Sequence, residues 1–323
     1  MRTLIIFNPT AGQSDALEHE LDAASEVWAS QGWQVARQPT QGPGDGCRLA
    51  RAAAEAGYDL VVAAGGDGTI NEVVNGLALS RTALATLPLG TMNVWARELG
   101  LPLNIQMAAQ ALLSWHVHSI DLGQAGERYF LLMAGIGFDA AITAGIRPAE
   151  KRRFGALAYV LRGLEVALKI RGSRVRIILD GRSIKSRVLM IVVGNTQLYG
   201  GLVKITHRAS IDDGLLDVCV IRGDSFISAL RHIVAILRRR YSLDPELDYY
   251  RVRTIQIIAR PRLPIQVDGD PIGETPMSFT VAPGALRALL PQNIPDDLMQ
   301  QPSPENPHAP RSLQGLVGRL FRR

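Results

Sequence analysis

The chain has 323 residues, 47% of them hydrophobic and 20% charged. That balance suits a soluble globular enzyme with a sizeable core and excludes collagen-like, low-complexity and wholly disordered chains. A net charge of +5 suits a phosphorylated ligand or an anionic surface and gives no specific support to nucleic acid as a partner. Cys47 and Cys219, in separate halves, form no disulfide framework or zinc motif, and the histidines show no metal-ligand spacing.

Thr3 to Phe7 reads as a buried strand running into Asn8-Pro9-Thr10-Ala11-Gly12. A strand beginning at once predicts no signal peptide. Ser14 or Asp15 can cap a helix with Leu17, Leu21, Ala24 and Trp28 on one face. Trp33 to Arg37 is a second strand, followed by a glycine-rich loop from Gln41 to Gly46 and a helix to Ala56. Leu60 to Ala64 is a third strand, and Ala83 to Leu87 a fourth, ending in Pro88-Leu89-Gly90-Thr91-Met92-Asn93. Strands alternating with helices predict a mostly parallel sheet covered on both faces, with ligands beyond the carboxyl ends of the strands. Asn8, Thr40, Asp67 and Thr91 each follow a strand, so their loops should converge on one rim.

From Trp115 the pattern changes to strands: His116 to Leu122, Tyr129 to Ala134, Arg174 to Leu179, Ser183 to Val193, Leu215 to Ile221, Thr254 to Ala259 and Leu263 to Val267. Helices are expected over Glu150 to Ile170 and Ser225 to Arg240, and Asp180-Gly181 is a hairpin signal. The expected organisation is an α/β unit over residues 1–122 and a mainly antiparallel β-sandwich over 123–292. Its last strand, Leu286 to Leu290, is placed to return to the first unit. Beyond Pro291 the Pro-, Asn- and Gln-rich chain predicts a disordered tail over 293–323 with a short basic amphipathic end from Ser312 to Arg323. The most apolar stretch, Leu131 to Ile146, contains Asp139 and is too short to span a bilayer. The expectation is a cytoplasmic protein, at most peripheral to the inner face of the membrane.

The chemistry centres on Val61 to Leu77. After the third strand come Gly65, Gly66, Asp67, Gly68 and Thr69, then a helix carrying Ile70, Val73, Val74 and Leu77. Glycines let the backbone approach a pyrophosphate, and a helix start offers unpaired N–H groups with a favourable dipole. Asp67 would repel phosphate unless a divalent cation lay between them. No Gly-Lys-Ser/Thr follows, so this is not the lysine-bearing P-loop, nor is it the dinucleotide fingerprint.

GGDGTINEVVNGL, together with FNPTAG (Phe7 to Gly12), PLGTMN (Pro88 to Asn93), Ile120-Asp121-Leu122-Gly123, DDGLLDV (Asp212 to Val218) and VDGD (Val267 to Asp270), resembles the bacterial diacylglycerol kinase and sphingosine kinase-like lipid kinases. The resemblance implies a NAD kinase/diacylglycerol kinase-like ATP-binding domain followed by a β-rich lipid-substrate domain. It implies an ATP- and Mg²⁺-dependent kinase acting on a hydroxyl of a diacylglycerol-like or related lipid. Asn8, Thr40, Gly65, Gly66, Asp67, Gly68, Thr69, Ile70, Asn71 and Thr91 would hold ATP, and Asp67 the catalytic Mg²⁺. Ser210, Asp213 and Leu215 would hold a structural Mg²⁺, with Asp121 and Asp217 forming a supporting relay towards Thr91. The family writes Asp-Gly-Glu where this chain has Asp268-Gly269-Asp270, so the proton acceptor is Asp268 or Asp270. A second departure is Asn93-Val94, where the family commonly has Asn-Asp.

Expected partners are the lipid, ATP and, transiently, an anionic membrane surface reached by the basic helix end Arg238-Arg239-Arg240 or the tail; a homodimer stays open. Two other readings share the glycine-rich turn: a NAD kinase, and a catalytically silent nucleotide or lipid sensor of the same fold.

Overall fold

Alternation of side chains along β1 (Arg2–Phe7) divides the first half of the molecule into two cores. Leu4 and Ile6 face one, and Ile5 and Phe7 the other, as a strand covered on both sides requires. A computed structural model describes residues 1–11, 14–137, 172–201, 203–223, 247–294 and 298–300.

Helix α1 (Ser14–Ala29), strand β2 (Gln34–Pro39), helix α2 (Asp45–Glu55), strand β3 (Leu60–Gly65), helix α3 (Asp67–Leu77) and strand β4 (Ala83–Pro88) follow in turn. The four strands lie parallel in the order β2-β1-β3-β4. Two further helices are α4 (Val94–Glu98) and α5 (Ile105–Leu112). On one face, Leu17, Leu21 and Trp28 of α1 pack with Ile105, Ala109 and Leu112 of α5, and Trp28 Nε1 donates to the Ala109 carbonyl at 2.9 Å. The other face carries Leu49 and Ala53 of α2 with Val73, Val74 and Leu77 of α3. Parallel strand ends therefore bring the loops after β1, β2, β3 and β4 to one rim.

Gly76 lets α2 and α3 meet closely. A Cβ there would press on the Cys47 carbonyl oxygen and lie 2.7 Å from Ala50 Cβ. Gly76→Ala gains helix propensity of about 1 kcal/mol but forces helix backbones apart, at about 1–3 kcal/mol. Urea unfolding should show a net loss of stability; a gain would mean that the helices part without cost.

The second half comprises β5 (His116–Ala125), β6 (Arg128–Phe130), β7 (Met133–Gly137), β8 (Ser173–Leu179), β9 (Arg182–Gly194), β10 (Leu198–Tyr199) and β11 (Val203–Lys204). It continues with β12 (Leu216–Arg222), β13 (Leu247–Val252), β14 (Thr254–Arg260), β15 (Pro264–Val267), β16 (Asp270–Glu274) and β17 (Met277–Leu290). These strands form an antiparallel β-sandwich. Strand β9 passes between its layers, pairing first with β8 and then, from Met190, lying between β7 and β12. Ile177, Ile191, Val193, Val218, Ile255, Ile265 and Phe279 fill the space between them. Strand β17 joins the halves. It runs antiparallel to β14 and β5, then pairs in parallel with β4 at Arg287 and Ala288.

One expectation is corrected, and two features were not foreseen. Tyr129 to Ala134 is not one strand but β6 and β7 with a break at Leu131 and Leu132, where consecutive N–H groups turn to one carboxylate instead of a neighbouring strand. Helix α5 was not foreseen, although Asn104 caps it by accepting from the Met107 N–H at 3.0 Å. Within the segment after Pro291, Leu298 is buried, and its carbonyl accepts from the Ile211 N–H at 2.9 Å. The helices expected over Glu150 to Ile170 and Ser225 to Arg240, and the basic end from Ser312, lie outside the described residues.

Candidate functional site

The turn between β3 and α3 stays close to its neighbour loop through glycine. A Cβ on Gly90 would lie 2.5 Å from Gly66 Cα and 2.9 Å from Asn93 Oδ1. Asn93, at φ 48°, fixes this second loop by accepting from the Gly90 N–H and donating to the Gly90 carbonyl, each at 2.8 Å. Gly66 precedes the first helical residue in an extended conformation and supplies no side-chain cap, so the first N–H groups of α3 remain suited to an anion. Asp67 Oδ1 accepts from the Val94 N–H at 2.8 Å, tying the turn to α4.

Other rim residues are ordered by local bonds. Asn8 Oδ1 accepts from the Thr10 N–H and hydroxyl at 2.9 Å, an Asx turn. The Thr40 N–H donates to the Phe7 carbonyl at 2.8 Å. Glu72 accepts from the Gly44 and Gly46 N–H groups at 2.8 and 2.9 Å and so draws in the loop after β2. Thr91 is exposed, and its hydroxyl has no hydrogen bond among the described residues. Buried Glu98 accepts from the N–H groups of Gln197 and Leu198 at 3.0 and 2.8 Å, fastening α4 to the sandwich.

The two carboxylates of Val267-Asp268-Gly269-Asp270 have different surroundings. Asp268, at φ 47°, is buried. Its Oδ1 accepts from the N–H groups of Leu132 at 3.0 Å and Met133 at 2.9 Å. Its Oδ2 accepts from the Leu131 N–H and from Asn71 Nδ2, both at 2.8 Å. Burial pushes the Asp268 carboxyl up to about 6, although these four donors pull the other way. It is therefore ionised at neutral pH with its lone pairs occupied. Asp270 is half exposed, with one oxygen 2.6 Å from Arg128 Nη2.

Arg128 closes a chain. Its Nε and Nη2 donate to Asn71 Oδ1 at 3.2 and 2.7 Å, so Asn71 spans Asp268 on one side and Arg128 on the other. Asn75, one turn further along α3, accepts from the Tyr129 N–H and donates to the Tyr129 carbonyl, each at 2.9 Å. The nucleotide-side helix and the β15–β16 hairpin are thus joined by Asp268, Asn71, Arg128 and Asp270. Sequence reasoning missed Arg128, Glu72 and Asn75. The Asn71–Asn75 spacing of one helical turn was the available signal.

The loop before β12 has its own partners. Ser210 Oγ donates to Asp212 Oδ1 at 2.8 Å, and Asp213 Oδ1 accepts from the Leu215 N–H at 2.9 Å. Asp213 Oδ2 pairs with Arg251, whose Nε also lies 3.6 Å from Asp217 Oδ2. Burial raises the carboxyls of Asp213 and Asp121 and pushes Asp217 up to about 6. Asp121 accepts from the N–H groups of Gly214 at 2.6 Å and Gly284 at 2.7 Å. No hydrogen bond joins Asp121 or Asp217 to Thr91 among the described residues. Both Asp213 oxygens are engaged, one by the Leu215 N–H and one by Arg251, so a cation at this loop would have to displace the Arg251 guanidinium from Asp213. Asp67 places carboxylate oxygens, the donor type Mg²⁺ prefers, at the start of α3, with Oδ1 also accepting from the Val94 N–H.

The profile described as Diacylglycerol kinase catalytic domain matches residues 2–125, and the YegS C-terminal NAD kinase beta sandwich-like domain matches residues 133–290. A diacylglycerol kinase of Bacillus subtilis (strain 168) is 31% identical over 300 residues, covering 92% of this chain and 99% of its own length. One from Staphylococcus carnosus (strain TM300) is 28% identical over 304 residues, with 93% and 99% covered. The crystal structure of a diacylglycerol kinase from Bacillus anthracis str. Sterne superposes with a TM-score of 0.76 at 28% identity, covering 90% of this chain and 96% of that one.

Proposed function

The chain belongs to the diacylglycerol kinase family, hence to the phosphotransferases with an alcohol acceptor, and on that premise we propose that it transfers the γ-phosphoryl group of ATP, with Mg²⁺, to a hydroxyl of a diacylglycerol-like lipid. The observation that supports this reading best is the hydrogen-bonded chain from the phosphate-binding helix to Asp270. It ties the groups suited to the donor and the group suited to the acceptor into one site.

Each residue then has a task. Gly66, Gly68 and Thr69 offer backbone N–H groups to phosphate, with Asn8, Thr40, Gly65, Ile70, Asn71 and Thr91 completing the rim. Asp67 would hold Mg²⁺, which when bound would supply positive charge against the negative charge that develops in transfer. Asp270 accepts the proton of the attacking hydroxyl. Asp268, its two oxygens occupied by four donors, keeps the backbone at Leu131, Leu132 and Met133 in place. No step runs through the loop of Ser210, Asp213 and Leu215. No helix among the described residues is long and apolar enough to cross a membrane; the lipid would be met at an anionic membrane surface.

The test is ADP release from Mg-ATP with detergent-dispersed diacylglycerol, monoacylglycerol, phosphatidylglycerol, sphingosine and ceramide, and with NAD as a separate acceptor. Lipid-dependent release, reduced about 10²-fold or more in Asp67→Ala, is the expected result. Release with NAD alone, or ATP binding without release for any acceptor, would sink the reading.

A further inference from the structure

Asp270 is a short side chain on an exposed hairpin, about half of it open to solvent. Alone, it would sample several rotamers, and a proton acceptor must sit within hydrogen-bond reach of its partner. Arg128 removes that freedom. Its Nη2 holds Asp270 Oδ2 at 2.6 Å, while Oδ1 has no partner among the described residues.

The guanidinium is itself held from two directions. Asn71 Oδ1 takes both Nε and Nη2, and Asn71 is oriented by its bond to the buried Asp268. The backbone of β6, which carries Arg128, is clasped at Tyr129 by both ends of the Asn75 amide. A flexible side chain held this way transmits the position of α3 to the hairpin.

We propose that Arg128 is a positioning residue for phosphoryl transfer: by holding Asp270 Oδ2 against Asn71, it presents Oδ1 to the acceptor hydroxyl in register with the nucleotide loop. This rests on the reading of Asp270 as proton acceptor. It also accounts for how an Asp can serve where the family has Glu. The missing methylene shortens the carboxylate's reach, and the arginine fixes where the shorter group points.

The experiment measures kcat and KM for Mg-ATP and for the active lipid in wild type, Arg128→Ala, Arg128→Lys, Asp270→Asn and the double variant Arg128→Ala/Asp270→Asn. Arg128→Ala should lower kcat about 10–100-fold, with KM for Mg-ATP within about twofold. In the Asp270→Asn background the same change should cost less than about twofold, because Arg128 acts through Asp270. Arg128→Lys, which keeps the charge but loses the fork, should fall between, and guanidinium in the buffer should restore part of the Arg128→Ala activity. Additive losses in the double variant, or a raised KM for Mg-ATP with kcat retained, overturn the proposal. Arg128→Gln, which can still donate to Asn71, repeats the cycle if the alanine variant fails to fold. A wild type that is silent with every lipid overturns the kinase reading first, and this inference with it.

Discussion

Replacing Asp270 with Asn should lower lipid-dependent phosphoryl transfer by about 10²–10⁴-fold, while Mg-ATP binding stays within a few-fold of wild type. The two carboxylates of the Asp-Gly-Asp turn are one residue type, but their surroundings assign them different work. Asp268 has four donors on its two oxygens and is buried. A proton arriving there would displace a donor that has no other acceptor. Asp270 has one oxygen paired with Arg128 and lies half exposed on the hairpin. An amide at 270 keeps the size and can still bond to Arg128 through its carbonyl, but it cannot take a proton from an alcohol. Asp270→Glu restores the residue the family uses and should retain turnover. The check is single-turnover transfer to the active lipid, with ATP affinity by calorimetry. Turnover of Asp270→Asn within about threefold of wild type, well short of the loss expected for a missing base, would place the proton acceptor elsewhere.

Why Asp268 and Asp270 could not be told apart in the sequence is itself physical. Residue type and spacing describe a carboxylate's reach, but its availability depends on what else binds it. The groups that occupy Asp268 come from Leu131, Leu132 and Met133, whose side chains say only that they are apolar. The same blindness joined β6 and β7 into one strand, since a run from Tyr129 to Ala134 carries no sign that its middle N–H groups turn away. Periodicity did reveal β1 to β4, because apolar strands and amphipathic helices must cover one another. The glycine-rich turn was legible for a related reason: Gly90 against Gly66 leaves no space for a Cβ. Arg128 carried no comparable mark. A single arginine after a Gly-Glu turn reads as a solvated cation until Asn71 and Asp270 are seen on either side of it. Leu298 was hidden likewise, one of a few apolar residues in a Pro-, Asp- and Gln-containing segment, whose pairing with Ile211 depends on a loop far away in sequence.

Asp268→Ala should destabilise the fold at neutral pH, and the size of the effect turns on two opposed contributions. Removing the carboxylate leaves the N–H groups of Leu131, Leu132 and Met133 and the Asn71 amide without their acceptor. Unsatisfied buried donors cost about 1–3 kcal/mol each, less where water enters the gap. Against this, the variant no longer buries a charge. The folded-state carboxyl is raised from 3.8 to about 6, which corresponds to a cost of at most about 3 kcal/mol for the ionised form at neutral pH. The donors outnumber the charge, so a net loss of about 2–4 kcal/mol is expected in urea unfolding. The pH dependence has a definite sign. Between 3.8 and about 6 the folded wild type holds a proton on Asp268 that the unfolded chain has released. This group's contribution to stability is therefore present at the acidic end and is lost as pH rises through that window. Asp268→Ala lacks this dependence, so the stability gap between wild type and variant should be wider at the acidic end of the window than at neutral pH. If the gap instead narrows on acidification, the four donors outweigh burial and the folded carboxyl lies below its ordinary value. That result would leave Asp268 as an anion even in mild acid, held by the same backbone groups that keep it from acting as the base.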